Sequence, residues 1–420
     1  MNNINSILKE VLIKINPSKE ELISIDKFLK NFITEFEKGL KREKINAQVF
    51  VGGSFAKKTL IKKGLYDIDV FVRFDEEYKG KEISDLTEKI IKNIKIKFSR
   101  IHGSRDYFKI DANPHFFIEV VPVIKVKRPK DAENITDLSY FHVNYLKKKL
   151  KGNMLNEIRL AKAFCHASKC YGAESYINGF SGYAVELLIV YYKNFLNFIK
   201  AMTKIKEKEI IDIEKLYKNK QEVIMNMNSA KITSPIILID PTYKERNALA
   251  ALSKETFERF KKACEKFIKN PSEEMFEVKK LDLEKIKNKE GAILINIETN
   301  KQEGDIAGSK LVKFYKHLTE EIKKFYTISN EGFEYHGKKD ADLFFIVNNK
   351  KEIIFMGPNK KDKENIQKFK KRHKNIFIKG DRIYAKEKTD KKIKEFIKEW
   401  MSINSEKIKE MSINEIKILN

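Results

Sequence analysis

Cysteine is scarce: Cys165, Cys170 and Cys264 are the three in 420 residues, none forms a C-x-x-C pair and none is grouped with histidine at zinc spacing. That excludes a disulfide-stapled secreted scaffold and argues against a structural zinc site. No run approaches the roughly eighteen apolar residues that a membrane-spanning helix needs. The opening stretch MNNINSILKEVLIKINPSKEE carries acids and lacks the apolar centre of a secretion signal. A cytoplasmic setting is expected. Negative charge is also short, with 60 Asp and Glu against 85 Lys and Arg, a formal net charge of +25. Such a field draws polyanions, nucleic acid above all. No internal repeat and no low-complexity tail stands out.

Apolar residues make up 42% of the chain, which places it among globular proteins. Its length suggests about two to four domains of ordinary size. The most informative stretch is 47–74, AQVFVGGSFAKKTLIKKGLYDIDVFVRF. A short apolar strand runs into Gly52-Gly53-Ser54, and a second strand carries Asp67-Ile68-Asp69-Val70. Side chains alternate along a strand, so Asp67 and Asp69 share one face. Neighbouring carboxylates raise each other's proton affinity unless a cation sits between them. Magnesium suits this, being hard, oxygen-seeking and commonly held by carboxylates together with substrate phosphates. Gly52 and Gly53 permit close backbone approach, and Ser54 offers a hydroxyl to an anion. Further on, HFFIEVVPV (115–123) is apolar apart from the interruptions at Glu119 and Pro122. An acid in such a strand is either at an exposed edge or a third metal ligand.

The G-G-S turn, the D-x-D strand and the later acidic strand resemble the DNA polymerase beta-like nucleotidyltransferase superfamily. Its members hold two metal ions on three carboxylates and pass a nucleotide from a triphosphate to a hydroxyl. Farther along, FHVNYL, NEIRLAKAF, YGAE, NGFSGYAVELLIVYY and DPTYKERNALAAL follow one another as in the archaeal, class I CCA-adding enzymes, the tRNA nucleotidyltransferases that build and repair the 3' CCA end. That resemblance implies metal ligation by Asp67, Asp69 and Glu119 around two Mg2+ ions. It implies contact with the incoming nucleotide through Gly53, Ser54, Lys57, His142, Lys162 and Tyr171, with Arg246 of K-E-R-N helping to recognise the base. CTP, ATP and the acceptor stem and T arm of tRNA are the implied partners, with no nucleic-acid template; a homodimer is compatible with it. The chain departs from the family's common pattern in having Glu119 for Asp, Lys57 for Arg, and one extra residue between Thr59 and Asp67. Two other readings share some of these features: a poly(A)- or oligoadenylate-type transferase with the same three acids, and a non-catalytic RNA-binding protein.

The expected fold is α+β and multidomain, with a polymerase beta-like mixed-sheet head (1–130), a helical middle domain (131–275) and a ferredoxin- or RRM-like C-terminal domain with terminal helices (276–420). Ser18 and Glu21 form a capping box, and Leu22, Ile25, Phe28, Leu29, Phe32 and Phe36 recur at helical spacing, so this helix is expected on the catalytic sheet. Helices are expected from 141 to 169, from 183 to 201 and over the charged 203–230 segment. Ser253 is expected to cap a helix bearing Phe257, Phe260, Cys264 and Phe267. In the last third, strands 343–347 and 352–356 read as a hairpin through Asn348-Asn349-Lys350-Lys351, strands 375–379 and 382–385 close a β-α-β-β-α-β order, and 388–420 reads as a helix pair. The basic runs 360–361, 368–374 and 391–392 are expected to meet RNA phosphates.

Overall fold

The computed structural model describes residues 2–103, 105–279, 281–350, 352–388 and 391–420. The chain divides into two units, Met1–Lys279 and Lys280–Asn420. In the first, α1 (Asn2–Ile15) and α2 (Lys19–Arg42) flank the expected capping box. The Ser18 hydroxyl accepts from the Glu21 amide at 3.1 Å, and the Glu21 carboxylate accepts from the Ser18 amide at 2.7 Å. Then follow β1 (Ala47–Val51), α3 (Gly53–Ala56), β2 (Tyr66–Phe74), α4 (Ile83–Asn93), β3 (Ser99–Ile101), β4 (Tyr107–Asn113) and β5 (Phe116–Ile124).

These strands form one sheet in the order β1-β2-β5-β4-β3, in which β2 and β5 run parallel and the other neighbours antiparallel. The two-residue period sorts the side chains onto two faces. Ile68, Val70, Val72, Ile118, Val120, Phe108 and Ile110 point to one face, where Ile25, Leu29, Phe32 and Phe36 of α2 and Ile90 and Ile91 of α4 cover them. Each such side chain contributes about 1.5–3 kcal/mol on burial. The opposite face carries Asp67, Asp69 and Glu119, and the core on the covered face holds it in register.

The helical part comprises α5 (Ser139–Lys149), α6 (Met154–Ala167), α7 (Gly182–Tyr192), α8 (Phe195–Lys204), β6 (Glu209–Ile211), α9 (Lys220–Asn226), β7 (Ile236–Asp240), β8 (Tyr243–Asn247) and α10 (Lys254–Lys269). Its core is separate from that of the sheet and includes Leu8 and Val11 of α1. At its centre the Phe164 ring meets Phe195, Phe260, Phe267 and Phe276 at centroid distances of 5.4–5.8 Å. Ser253 caps α10 as expected, accepting from the Thr256 amide at 3.1 Å.

Three helical expectations need correction. The 141–169 run divides at residues 150–153, and the 183–201 run divides where Lys193 takes φ 73° and Asn194 caps α8. The 203–230 segment is not one helix: β6 pairs in parallel with β7, leaving α9 as a short helix after it. Ile210 and Ile211 pair with Ile237 and Leu238, and this pairing outweighs the helix-compatible charge pattern around them.

The second unit contains α11 (Leu283–Lys287), β9 (Ala292–Thr299), α12 (Asp305–Phe325), β10 (Tyr326–Tyr335), β11 (Asp340–Asn349), β12 (Ile353–Asn359), α13 (Lys363–Arg372), β13 (Ile376–Lys379), β14 (Arg382–Glu387), α14 (Ile393–Ile403), α15 (Ser405–Glu410) and β15 (Ile413–Ile418). One sheet has the order β10-β11-β9-β15 and a smaller one the order β12-β14-β13. The expected hairpin of β11 with β12 therefore does not form. Both edges of β11 are already taken, by β10 and β9, so no ladder remains for β12. Lys351 of that expected turn lies outside the described residues. The terminal helix pair is corrected as well: α14 and α15 are followed by β15, which fills the edge of β9. No helix among the described residues is long and apolar enough to cross a membrane.

Candidate active site

Asp67 and Asp69 stand two apart on β2, and Asp69 is the direct register partner of Glu119 on β5. Glu119 in turn faces Lys109 on β4. On the other side the Gly52 amide donates to the Asp69 carbonyl at 2.9 Å. One row across the sheet thus reads Gly52, Asp69, Glu119, Lys109. The two glycines are required by what lies opposite them. A Cβ on Gly52 would come within 2.3 Å of the Phe71 ring, and one on Gly53 within 1.7 Å of Asp69 Oδ2, where φ is also +57°. Glycine alone clears the carboxylate.

Positive charge is short around this trio. Burial, then the charge of Asp67, raises Asp69 to about 6 against the pull of Lys57 and Lys63, and burial, then Asp69 and Asp67, raises Glu119 to about 8. Lys63, in the loop before β2, donates to Asp67 Oδ1 at 2.9 Å. Among the described residues no three His, Cys, Asp or Glu side chains meet tightly enough to hold an ion. Carboxylates without a cation repel, and here Lys63 engages one of them. An oxygen-only donor set, in which Asp69 and Glu119 have raised proton affinity, still fits a hard divalent cation.

Four of the expected nucleotide residues, Lys57, Lys162, His142 and Arg246, fall on two buried carboxylates that the sequence reading missed. Glu186, inside the apolar α7, accepts from Lys57 Nζ at 2.5 Å, from Lys162 Nζ at 2.7 Å and from the Thr59 hydroxyl at 2.6 Å. Burial alone would raise its carboxyl, yet Lys162 and Lys57 hold it down at about 2. Asp240, at the end of β7, accepts from Arg246 Nη1 at 2.7 Å and from the Tyr183 hydroxyl at 3.0 Å, and bonds His142 Nε2 at 3.0 Å. The amide and hydroxyl of Thr242 add two bonds of 2.8 Å. Against the effect of burial, His142 and Arg246 keep Asp240 below the ordinary carboxylate range. The His142 ring stacks on Tyr183 at 4.1 Å, and burial lowers its proton affinity.

Tyr171 is packed on His166 at 3.9 Å, and burial, then Glu186 and Asp67, pushes its hydroxyl far above its ordinary value. Ser54 lies in α3, and its carbonyl accepts from the Thr59 amide at 2.9 Å. Arg73, on the same strand face as the acids, lays its guanidinium 3.7 Å above the Tyr140 ring and so anchors α5, which carries His142. The structure therefore gathers Asp67, Asp69 and Glu119 on the sheet with Gly53 of α3 beside Asp69, Lys57 with Lys162 at one carboxylate, and His142 with Arg246 at another. The sequence did hold a signal for both hubs: an acid in AVELLIV or at the end of IILID must be paired if buried.

A family model described as tRNA nucleotidyltransferase, second domain, matches residues 156–277, and one for a Second Messenger Oligonucleotide or Dinucleotide Synthetase domain matches residues 1–139. The CCA-adding enzyme of Nanoarchaeum equitans is 35% identical over 80% of this chain and 83% of its own. That of Methanocaldococcus jannaschii is 30% identical over 91% of this chain and 87% of its own. That of Archaeoglobus fulgidus is 28% identical over 91% and 86%. Among solved structures, a cytoplasmic RNA terminal U-transferase superposes with a TM-score of 0.52 at 12% identity, over 67% of this chain and all of that one. At that identity the likeness shows a shared nucleotidyltransferase fold. With its sheet acids, its two carboxylate hubs and these relatives, the chain belongs to the family of archaeal CCA-adding enzymes, the tRNA nucleotidyltransferases.

Proposed function

We propose that the chain adds C, C and A in turn to the 3' end of tRNA from CTP and ATP, without a nucleic-acid template, and so both builds and repairs that end. The observation that carries this reading is the pairing of Asp69 with Glu119 on parallel strands, with Gly53 cleared beside Asp69. The oxygen of the tRNA 3'-hydroxyl bonds to the α-phosphorus as its proton passes to solvent, the bond from that phosphorus to its bridging oxygen breaks, and pyrophosphate leaves with the electron pair. Asp67 and Asp69 would hold two Mg2+ ions and Glu119 the one nearer the attacking hydroxyl. When bound, the ions supply Lewis-acid stabilisation of the attacking and leaving oxygens. Lys57, Lys162, Ser54, His142 and Tyr171 face the triphosphate, offsetting its charge or donating to its oxygens. Arg246, steadied by Asp240 and lying 5.7 Å from the Tyr183 ring, reads the base edge.

In this reading residues 1–130 are the catalytic head, 131–275 bind nucleotide and tRNA, and 276–420 grip the acceptor stem and T arm. The strand order β10-β11-β9-β15 supports a ferredoxin-like sheet in the last of these, with β12, α13, β13 and β14 inserted. The basic α13, with Lys370, Lys371 and Arg372 in its last turn, supplies phosphate contacts. The test is labelled CTP and ATP offered to tRNA lacking its last three nucleotides, with the products sequenced. Two C and one A followed by a stop are expected, with at least about a thousandfold loss in Asp69→Ala. Long A tails, or equal use of unstructured RNA, would overturn CCA addition while keeping the transferase.

A further inference from the structure

The two lysines expected at the triphosphate both end on one acid. Glu186 Oε1 takes Lys162 and Thr59, and Oε2 takes Lys57. Lys162 Nζ also reaches the Thr59 hydroxyl at 2.9 Å and its carbonyl at 3.3 Å. Glu186 is fully buried and Lys162 nearly so. These groups come from α7, from α6 and from the loop after α3, and the same loop is tied down again by Arg159, which donates to the carbonyls of Leu60 at 3.0 Å and Lys58 at 2.8 Å. Lys57 lies close enough for its charge to act on Asp69 and on His142. The carboxylate thus fixes where an ammonium stands between the sheet acids and the helical domain.

A buried ion pair is seldom more stabilising than apolar residues of the same volume. Two ammonium groups bond one carboxylate, so the hub itself carries one positive charge in excess, with Asp69 the further acid that the Lys57 charge reaches. That excess is what a triphosphate can use.

We propose that Glu186 is the positioning residue for nucleotide binding, holding Lys57, Lys162 and the loop from Lys57 to Leu60 in the arrangement that receives the triphosphate of CTP and ATP alike. It deepens, and rests on, the proposed nucleotidyl transfer. Because a triphosphate is common to both substrates, removal of the Glu186 charge weakens both by the same factor and leaves tRNA affinity as it was.

The test is equilibrium binding of CTP, of ATP and of tRNA to full-length Glu186→Gln, with its melting temperature, across neutral to alkaline pH. Expected are Kd values for both nucleotides weaker by about tenfold, an unchanged tRNA Kd, and partial recovery in Glu186→Asp. The pH profile separates positioning from mere support. Lys63, Tyr171 and His166 also face this cluster. Burial lowers Lys162 and Glu186 opposes that, so without the carboxylate Lys162 loses its proton at lower pH and nucleotide affinity begins to fall at lower pH than in the wild type. Wild-type nucleotide affinity and pH profile in a folded Glu186→Gln would overturn the proposal, and so would loss of tRNA and nucleotide binding together. If that variant does not fold, Glu186→Gln with Lys162→Met removes one buried ammonium along with the carboxylate and is read the same way, retained nucleotide affinity overturning the proposal. A wild-type chain that adds no CCA would instead sink the parent reading.

Discussion

Two groups of carboxylates in the first unit have opposite electrostatics. On the sheet face, Asp69 and Glu119 are raised to about 6 and about 8 because burial, and then the charge of neighbouring acids, exceeds what the neighbouring lysines supply. In the helical part, Glu186 is held at about 2 and Asp240 below its ordinary range, because cationic side chains, some from distant segments, meet each of them: Lys162 and Lys57 at the first, His142 and Arg246 at the second. The first group is short of a cation and the second is saturated. In the proposed reading, the acids that would take up metal are left underneutralised, while the groups that would orient the nucleotide are fixed by partners already in place.

The sharpest way to break this contrast is at the backbone beside the trio. Gly53→Ala places a Cβ 1.7 Å from Asp69 Oδ2 at a φ of +57°, so the carboxylate must swing away. A fall in kcat of about a hundredfold with tRNA affinity retained is expected from steady-state kinetics and filter binding, since small misplacement at such a centre is costly. Asp240→Asn attacks the saturated side. It leaves Arg246 and His142 without their shared acceptor charge, and preference for CTP and ATP over GTP and UTP should fall by about tenfold in competition assays. Its melting temperature should drop too, because a buried cation is left unpaired.

The smallest effect is also the most diagnostic of sign. Glu119, raised to about 8 from an ordinary 4.5, destabilises the ion-free fold progressively as pH rises through that window. A divalent ion binds the ionised form and removes the penalty. Magnesium should therefore raise the melting temperature more at about pH 8.5 than at about pH 6, by a few degrees, in differential scanning fluorimetry. Glu186 behaves oppositely: its contribution is present above 4.5 and is lost as pH falls toward 2.

What the sequence made legible follows distance along the chain. The glycine turn, the alternation of Asp67 with Asp69 and the capping box of α2 are local patterns whose physics acts within a few residues, and each is found where it was expected. The hubs pair residues 129 apart for Lys57 with Glu186 and 98 apart for His142 with Asp240, which no local period encodes. The last third went astray for a related reason. The alternation or helical compatibility of 340–349, 353–359 and 413–418 is a local property, whereas their places depend on which edges of the sheet are already filled. INEIKI at 413–418 has apolar residues at both helical and strand spacing, and it takes the strand because β9 offers an open edge.

The most direct test of the contrast is calorimetric titration of Mn2+ into the full chain in the presence of CTP, comparing wild type, Asp69→Asn and Glu186→Gln. Asp69→Asn is expected to lose the metal heat, while Glu186→Gln, once saturated with CTP, keeps it and differs in how much CTP saturation takes. Equal metal affinity in wild type and Asp69→Asn would contradict this, since the underneutralised acids would then not be the place where the cation goes.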